Sequence, residues 1–514
     1  MLKNRPSTSV HTSCTFFLFK AVAVVLLVYT TVQLFTRDVI SSHMIRPDVL
    51  VDYITRTPFL LDGQNVTEVA AKYVKSPVKA PFKNKFSEMG KRTNTLAKWL
   101  AYTDDAPRLA RSRKEVVAAT ESVALATFPF LRAPRKPWSE TPLGDLRETF
   151  QKGSRGIAMA VGGSDKALRF AGHLIVMLRT ILGSRLPIEI AYAGDADLSA
   201  KNRELLLSFD PTGNMFFLDL MDVFDDKTVK FGEGGWAIKP FMALASRFEQ
   251  VIAMDSDVVF MQTPEVLFDH KPYTETGAYL FHDRLLHKNL KSGRHSWFRD
   301  QIRKPSAQLM RSRVWNEGWS EECDSGVVVL DKSRPKVLAS LLHMAWQNTD
   351  AVRKQVTYRM THGDKESWWL GLELTGADYG FEAEYGSVIG WEQAVKLEHG
   401  KNGSRVCSAV MSHTDPDGAL LWYNGSLLKN KRADPKTYLV PDVWMKGGNW
   451  VKAPGPGKSA VACMAGARVH NITVDQRSMV EQSIKAATRV DKIIRPGGWK
   501  ENLYRRHRAV RTWI

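Results

Sequence analysis

The stretch VIAMDSDVVF, Val251–Phe260, decides the fold: it is an apolar run broken by two aspartates, Asp255 and Asp257. Two carboxylates on so apolar a segment carry a large desolvation cost unless positive charge meets them. Two residues apart on an extended strand, they point to one side. A hard divalent cation with oxygen ligands, and with room left for phosphate oxygens, answers that cost. Strand-end carboxylates that cap a neighbouring helix or pair with arginine are the plainer reading. Two other Asp-x-Asp sequences, Asp195/Asp197 and Asp415/Asp417, lack the apolar setting and read as structural.

Upstream, WAIKPFMALASRF (Trp236–Phe248) reads as helix after Pro240, MFFLDL (Met215–Leu220) as a strand, and IEIAYAGD (Ile188–Asp195) as another. GIAMAVGG (Gly156–Gly163) is a first, glycine-ended strand. Ser164 caps the helix after it, in which Leu168, Ala171, Ile175, Leu178 and Leu182 recur at helical spacing. This alternation predicts an α/β domain, a Rossmann-like parallel sheet flanked by helices, with ligands beyond the carboxyl ends of the strands.

The chain has 514 residues and a net charge of +18, with 44% hydrophobic and 25% charged residues. That composition excludes a mostly disordered chain, and the charge first suggests an anionic partner such as nucleic acid. Thr15–Phe35 (TFFLFKAVAVVLLVYTTVQLF) carries only Lys20, at one end, and is long enough to span a bilayer. Lys3 and Arg5 before it place the N-terminus in the cytoplasm and the bulk of the chain across the membrane. A cleaved signal peptide is the competing reading, and it lacks a small-residue cleavage pattern. Four sequons, at Asn65, Asn402, Asn424 and Asn471, agree with a lumenal address, which argues against nucleic acid. The organisation that follows is a cytoplasmic tail (1–14), a transmembrane signal anchor (15–35), a basic, proline-punctuated stem (36–150), a catalytic domain (151–430) and a basic C-terminal extension (431–514). Four cysteines make no disulfide framework; Cys14 lies by the anchor, and Cys323, Cys407 and Cys463 allow one bridge at most.

GGWAIKPFMALASRFEQVIAMDSDVVFMQTPEVLFD (Gly234–Asp269) resembles the signature of the fungal α-mannosyltransferases of glycosyltransferase family 71, type II Golgi enzymes that add α-1,3-linked mannose. RGIAMAVGG (Arg155–Gly163), LRTILGSRLPIEIAYAGDAD (Leu178–Asp197), ECDSGVVVLDKSR (Glu322–Arg334), HGDKESWWLGLELTG (His362–Gly376) and VMSHTDPDGALLWYNGSLLKNK (Val410–Lys431) are similar to further blocks, in the same order. The resemblance covers roughly 155–430. It implies a GT-A fold that binds GDP-mannose, a mannosylated glycan or glycoprotein acceptor, and retention of the α-configuration. It also implies a Golgi membrane location and a possible mannosyltransferase complex. By position, Asp255 and Asp257 would hold Mn²⁺ (or Mg²⁺) against the diphosphate. His413 matches a third ligand of the wider fold group, with Asp415 as fallback.

Developing charge on the leaving diphosphate asks for cations. Lys239 is one candidate, and Lys429 and Lys431 near the last block are others. Asp324, Asp364 and Glu366 are catalytic candidates, carboxylates able to bond sugar hydroxyls or to stabilise an oxocarbenium-like centre. Ser325, Gly326 and Lys365 join them in positioning substrate, and Trp368 or Trp369 is expected to stack a sugar face while the other is core. Gly162, Gly163 and Asp165 follow the first strand, where base or ribose would sit. No general base is assigned. A different nucleotide-sugar donor, or a non-catalytic lumenal binder of glycans or polyanions, remain the alternatives.

Overall fold

The computed structural model describes residues 59–107, 110–396, 402–452 and 461–495. The expected tail (1–14) and anchor (15–35) lie outside them, as do residues 496–514 of the basic extension. Among the described residues no helix is long and apolar enough to cross a membrane. The chain divides into two compact units, Met1–Asn65 and Val66–Ile514. The described part of the first is a short antiparallel hairpin, Leu60–Leu61 with Gln64–Asn65.

The second unit opens with three helices, α1 (Val66–Lys75), α2 (Phe86–Asp105) and α3 (Arg111–Thr127). They occupy the expected stem (36–150), and α2 is embedded in the body of this unit. Phe86 meets Trp346 edge-on at 4.9 Å, the Thr93 hydroxyl bonds that of Thr375 at 2.8 Å, and Leu96 and Leu100 are buried. The inward face also carries Gly90, Arg92 and Thr93, so the helix shows no clean apolar stripe.

A seven-stranded sheet follows, built from β1 (Gln151–Ala160), β2 (Ile188–Tyr192), β3 (Met215–Asp219), β4 (Phe248–Met254), β6 (Ala278–His282), β7 (Cys323–Asp331) and β8 (Gly380–Tyr385), with β5 (Val258–Phe260) passing to a second sheet. Its order is β8-β6-β7-β4-β1-β2-β3. The four strands read from sequence are parallel, with Ile157 opposite Ile188 and Ile252. The sheet as a whole is mixed, because β7 runs antiparallel between β4 and β6. Helix α4 (Asp165–Val176) is capped as expected, the Ser164 hydroxyl accepting from the Ala167 N–H. It buries Leu168, Ala171, Leu174 and Ile175 against the sheet in one cluster with Met159, Met254 and Val327. Each buried Leu, Ile, Val or Met side chain there contributes about 1.5–3 kcal/mol.

Helix α5 (Ile238–Ala245) leads into β4, and α6 (Pro335–Gln347) and α7 (Lys365–Thr375) complete the helical layer. The second, antiparallel sheet holds β9 (Ser387–Lys396), β10 (Asn402–Ser408), β11 (Met411–Thr414) and β12 (Leu420–Asn424), and β12 pairs with β5, Asn424 opposite Val258. The region expected to be an extension is part of this body. The strand Ala462–Ala465 pairs with β10, and Cys407 is bonded to Cys463, leaving Cys323 free and buried. The last helix, α8 (Val474–Ile494), returns to α4: Asp491 accepts from Arg169 at 2.7 and 2.6 Å, lies 2.7 Å from His173 Nε2, and accepts from the Tyr438 hydroxyl.

Candidate active site

The carboxyl end of β4, the amino end of the antiparallel β7, the start of α7 and the turn after β12 surround a cavity of about 430 Å³. Strand β4 ends at Met254, so the aspartate pair sits in a tight turn rather than on a continuous strand. The Asp255 N–H donates to the Gly326 carbonyl at 2.8 Å, continuing the β4–β7 ladder by one rung. The Asp257 carbonyl accepts from the Gly425 and Ser426 N–H groups. Gly326 is required by packing, since a Cβ there would stand 2.6 Å from the Asn424 amide.

Each aspartate has a lysine. Lys239, from the first turn of α5, donates to Asp255 Oδ1 at 2.9 Å and to the Ser325 carbonyl and hydroxyl at 2.8 and 2.9 Å; its ammonium lies 3.4 Å from Asp364. Burial opposes its charge, but Asp255 and Asp364 outweigh burial and hold its pKa well above that of an ordinary lysine. The Asp255 carboxyl is raised, by burial first and then by Asp257 and Asp364, against the pull of Lys239. Its side chain remains 28% open. Lys431 pairs with Asp257, and Lys431 and Arg432 line the cavity.

Asp324 is the hub. Its Oδ1 accepts from the Gly326 N–H at 3.1 Å and from the Asn424 amide at 3.2 Å, and its Oδ2 faces His413 Nε2 at 3.1 Å. Burial would raise its pKa, but Lys365, His413 and Asn424 hold it far below the carboxylate range. On the other side of His413, Nδ1 meets Glu382 Oε1 at 2.5 Å. Burial works against protonation, yet the two carboxylates push the imidazole up to about 9, so it is a cation at neutral pH.

These contacts correct several expectations. Both nitrogens of His413 are taken by carboxylates and the ring is fully buried, so it does not offer a third metal ligand. Asp415, the fallback, accepts from Gln262 and from the Ala419 N–H, away from the cavity. Glu366 is no pocket acid. It is buried, and its oxygens accept from the Glu322 and Cys323 N–H groups and the Trp369 indole. Burial pushes its pKa up to about 8. Trp368 and Trp369 are 1% and 2% exposed, core residues whose indoles donate to Asp364 and Glu366. Lys429 stands over the Trp391 ring, not in the cavity lining. Asn424, counted among the sequons, has its amide nitrogen on Asp324 inside the site.

Other expected residues are brought together: Lys239, Asp255, Asp324, Ser325, Asp364 and Lys365 all line the cavity. Gly162, Gly163 and Asp165 sit at the end of β1 and the start of α4, where the Gly163 N–H donates to the Asp197 carbonyl; they are outside the lining. Of the remaining sequons, Asn471 is exposed, Asn65 is half-buried, and the Asn402 side chain lies outside the described residues. Sequence reasoning missed Asp283, which pairs with Lys365, as well as Glu382 and Trp236. Nothing local marks them, because they reach the site through strand pairing and loop packing.

Among the described residues no group of three or more His, Cys, Asp and Glu side chains is placed to hold a metal ion. The two carboxylates of the pair are each met by a lysine, Lys239 on Asp255 and Lys431 on Asp257.

The family model Mannosyl_trans3, described as "Mannosyltransferase putative", matches residues 154–415. The chain therefore belongs to this mannosyltransferase family. It is 27% identical over 313 residues to the alpha-1,3-mannosyltransferase MNT2 of Saccharomyces cerevisiae, covering 55% of this chain and 53% of that protein. It is 25% identical over 353 residues to the alpha-1,3-mannosyltransferase MNN1 of the same organism, covering 58% and 43%. The chain thus spans about half the length of the curated relatives it matches. Among solved structures, the S. cerevisiae mannosyltransferase Ktr4p in complex with GDP aligns with a TM-score of 0.30 at 12% identity, over 62% of this chain and 84% of that one; at that score it carries no weight for this fold.

Proposed function

We propose that this protein is a GT-A-type glycosyltransferase that moves mannose from GDP-mannose to a mannoside acceptor, in α-1,3 linkage with retention. We place it as a type II protein of the Golgi membrane, anchored by residues 15–35. One observation carries the reading: beyond the end of β4, Asp255 lines one polar cavity together with Lys239 and Lys431, and Asp257, two residues on, pairs with that Lys431. Family membership and the names of the relatives support the sugar and the linkage.

Mn²⁺ or Mg²⁺ between Asp255, Asp257 and the donor's diphosphate would neutralise the charge that develops on the leaving group. Lys239 and Lys431 place two further positive charges on the same side. Asp324 is a fixed anion, bonded too firmly to take a proton, and suits electrostatic stabilisation of positive charge on the sugar rather than base catalysis. Asp364, held by Trp368 and Lys239, is oriented for a sugar hydroxyl.

The test is transfer from GDP-mannose to defined α-mannosides with Mn²⁺ or with chelator, followed by linkage analysis of the product. Asp255→Asn and Asp257→Asn are expected to lose about a hundredfold or more in turnover. Full activity in either variant would overturn the site. Turnover with UDP-sugars and not with GDP-mannose would overturn the donor.

A further inference from the structure

We infer that Trp236 is the platform on which the acceptor sugar lies. This rests on the glycosyl-transfer reading above and names a residue that decides acceptor binding. Trp236 is 50% exposed and lines the cavity, whereas Trp368 and Trp369 are core.

Its position is built rather than incidental. Gly363 lies against the indole: a Cβ there would stand 2.7 Å from Trp236 Cε3, and the residue has φ +66°, where glycine is favoured. The His362 ring is 5.5 Å from the indole, tilted by 43°. The next two residues tie this loop to the site floor, since Asp364 faces Lys239 and Lys365 pairs with Asp283. Lys239 itself follows Trp236 by three residues, about one helical turn. The indole is therefore braced by the loop that carries the pocket carboxylate, and part of it is left open.

The lining offers two kinds of chemistry. Lys239, Lys431 and Asp255 suit a diphosphate and a cation. Trp236 and Leu290 are its large exposed apolar side chains, 50% and 59% open. A neutral hexopyranoside has a C–H face and a hydroxyl edge. The face packs on an indole, and the hydroxyls can bond Asp364 and Glu321, which share the lining.

The experiment compares Trp236→Ala, Trp236→Phe and Trp138→Ala in the full chain. Trp138 is 78% exposed and lies outside the cavity lining, so its variant controls for loss of any surface tryptophan. Trp236→Ala is expected to raise the acceptor KM about tenfold, the loss of an aromatic contact of ordinary strength. Its thermal stabilisation by GDP should equal that of the parent, Trp236→Phe should recover most of the KM, and Trp138→Ala should match the parent. An unchanged acceptor KM in Trp236→Ala, or a loss of GDP stabilisation that accounts for the defect, overturns the assignment. A parent protein that GDP does not stabilise refutes the donor reading, and is told apart because methyl α-mannoside binding, followed by saturation-transfer NMR, then still reports on Trp236.

Discussion

His413→Gln should remove a pH-dependent part of the protein's stability, and the size of that part follows from the structure. The imidazole stands between Glu382 and Asp324, fully buried, and its pKa is pushed up to about 9 from an ordinary 6.5. A base whose folded pKa is raised contributes stability that is fully present below 6.5 and lost as pH rises through 9. The gap, at about 1.36 kcal/mol per pH unit, is worth about 3.4 kcal/mol. The raw pH profile does not isolate it, because burial places Lys332 at about 7 and Glu366 at about 8, so both titrate in the same window. The difference between parent and variant does, since those two groups are common to both. Urea unfolding of each protein at pH 6 and pH 9.5 gives four free energies. The advantage of the parent over His413→Gln should be about 3 kcal/mol larger at pH 6 than at pH 9.5. An advantage that stays constant between the two would show that His413 carries no charge in the folded protein, and the account of Asp324 as an anion pinned by a cation would fall with it.

Lys239→Met leaves Asp255 and Asp364 facing each other without their shared cation; unfolding stability should drop by about 3–5 kcal/mol, measured by urea titration at pH 7, and a drop under about 1 kcal/mol would contradict the pairing. Glu366→Gln should retain turnover within about twofold at pH 7, because the buried acid bonds only backbone and Trp369, while Asp364→Asn should lose about tenfold or more in kcat; the reverse ranking would restore Glu366 as a catalytic acid. The Cys407–Cys463 bridge closes 56 residues, so Cys463→Ser should cost about 4 kcal/mol by loop-entropy arithmetic, read as a shift in the urea midpoint relative to the oxidised parent.

The parts legible in sequence are the parts specified locally. Helix α4 shows its cap at Ser164 and its apolar face at Leu168, Ala171 and Ile175 within a dozen residues, and the end of β4 is marked by Asp255 breaking an apolar run. The direction of β7 is not marked, because VVVL looks the same whether a buried strand runs up or down. Helix α2 reads as stem because Gly90, Arg92 and Thr93 share its buried face. In the site, residue types on the lining strand ends were readable, but their partners were not. Glu382 reaches His413, and Asn424 reaches Asp324 across 100 residues, through pairings between strands that no local pattern announces. The paired tryptophans of α7 misled for a related reason: indoles that pin carboxylates in the core and indoles that hold sugars have the same sequence.

The pairing of β5 with β12 also sets when this site can exist. Lys431 meets Asp257 across 174 residues of chain, and the cavity lining comes from two stretches of chain, one ending at Lys365 and one running from Ala409 to Arg432. A chain emerging from the ribosome therefore carries the first stretch, with Asp257 still lacking its lysine and the edge of β5 unpaired, before the second is made. Contacts of such separation form late and slowly. The order of synthesis thus leaves the pocket incomplete until Arg432 has emerged, and in that interval the edge of β5 is exposed to mispairing.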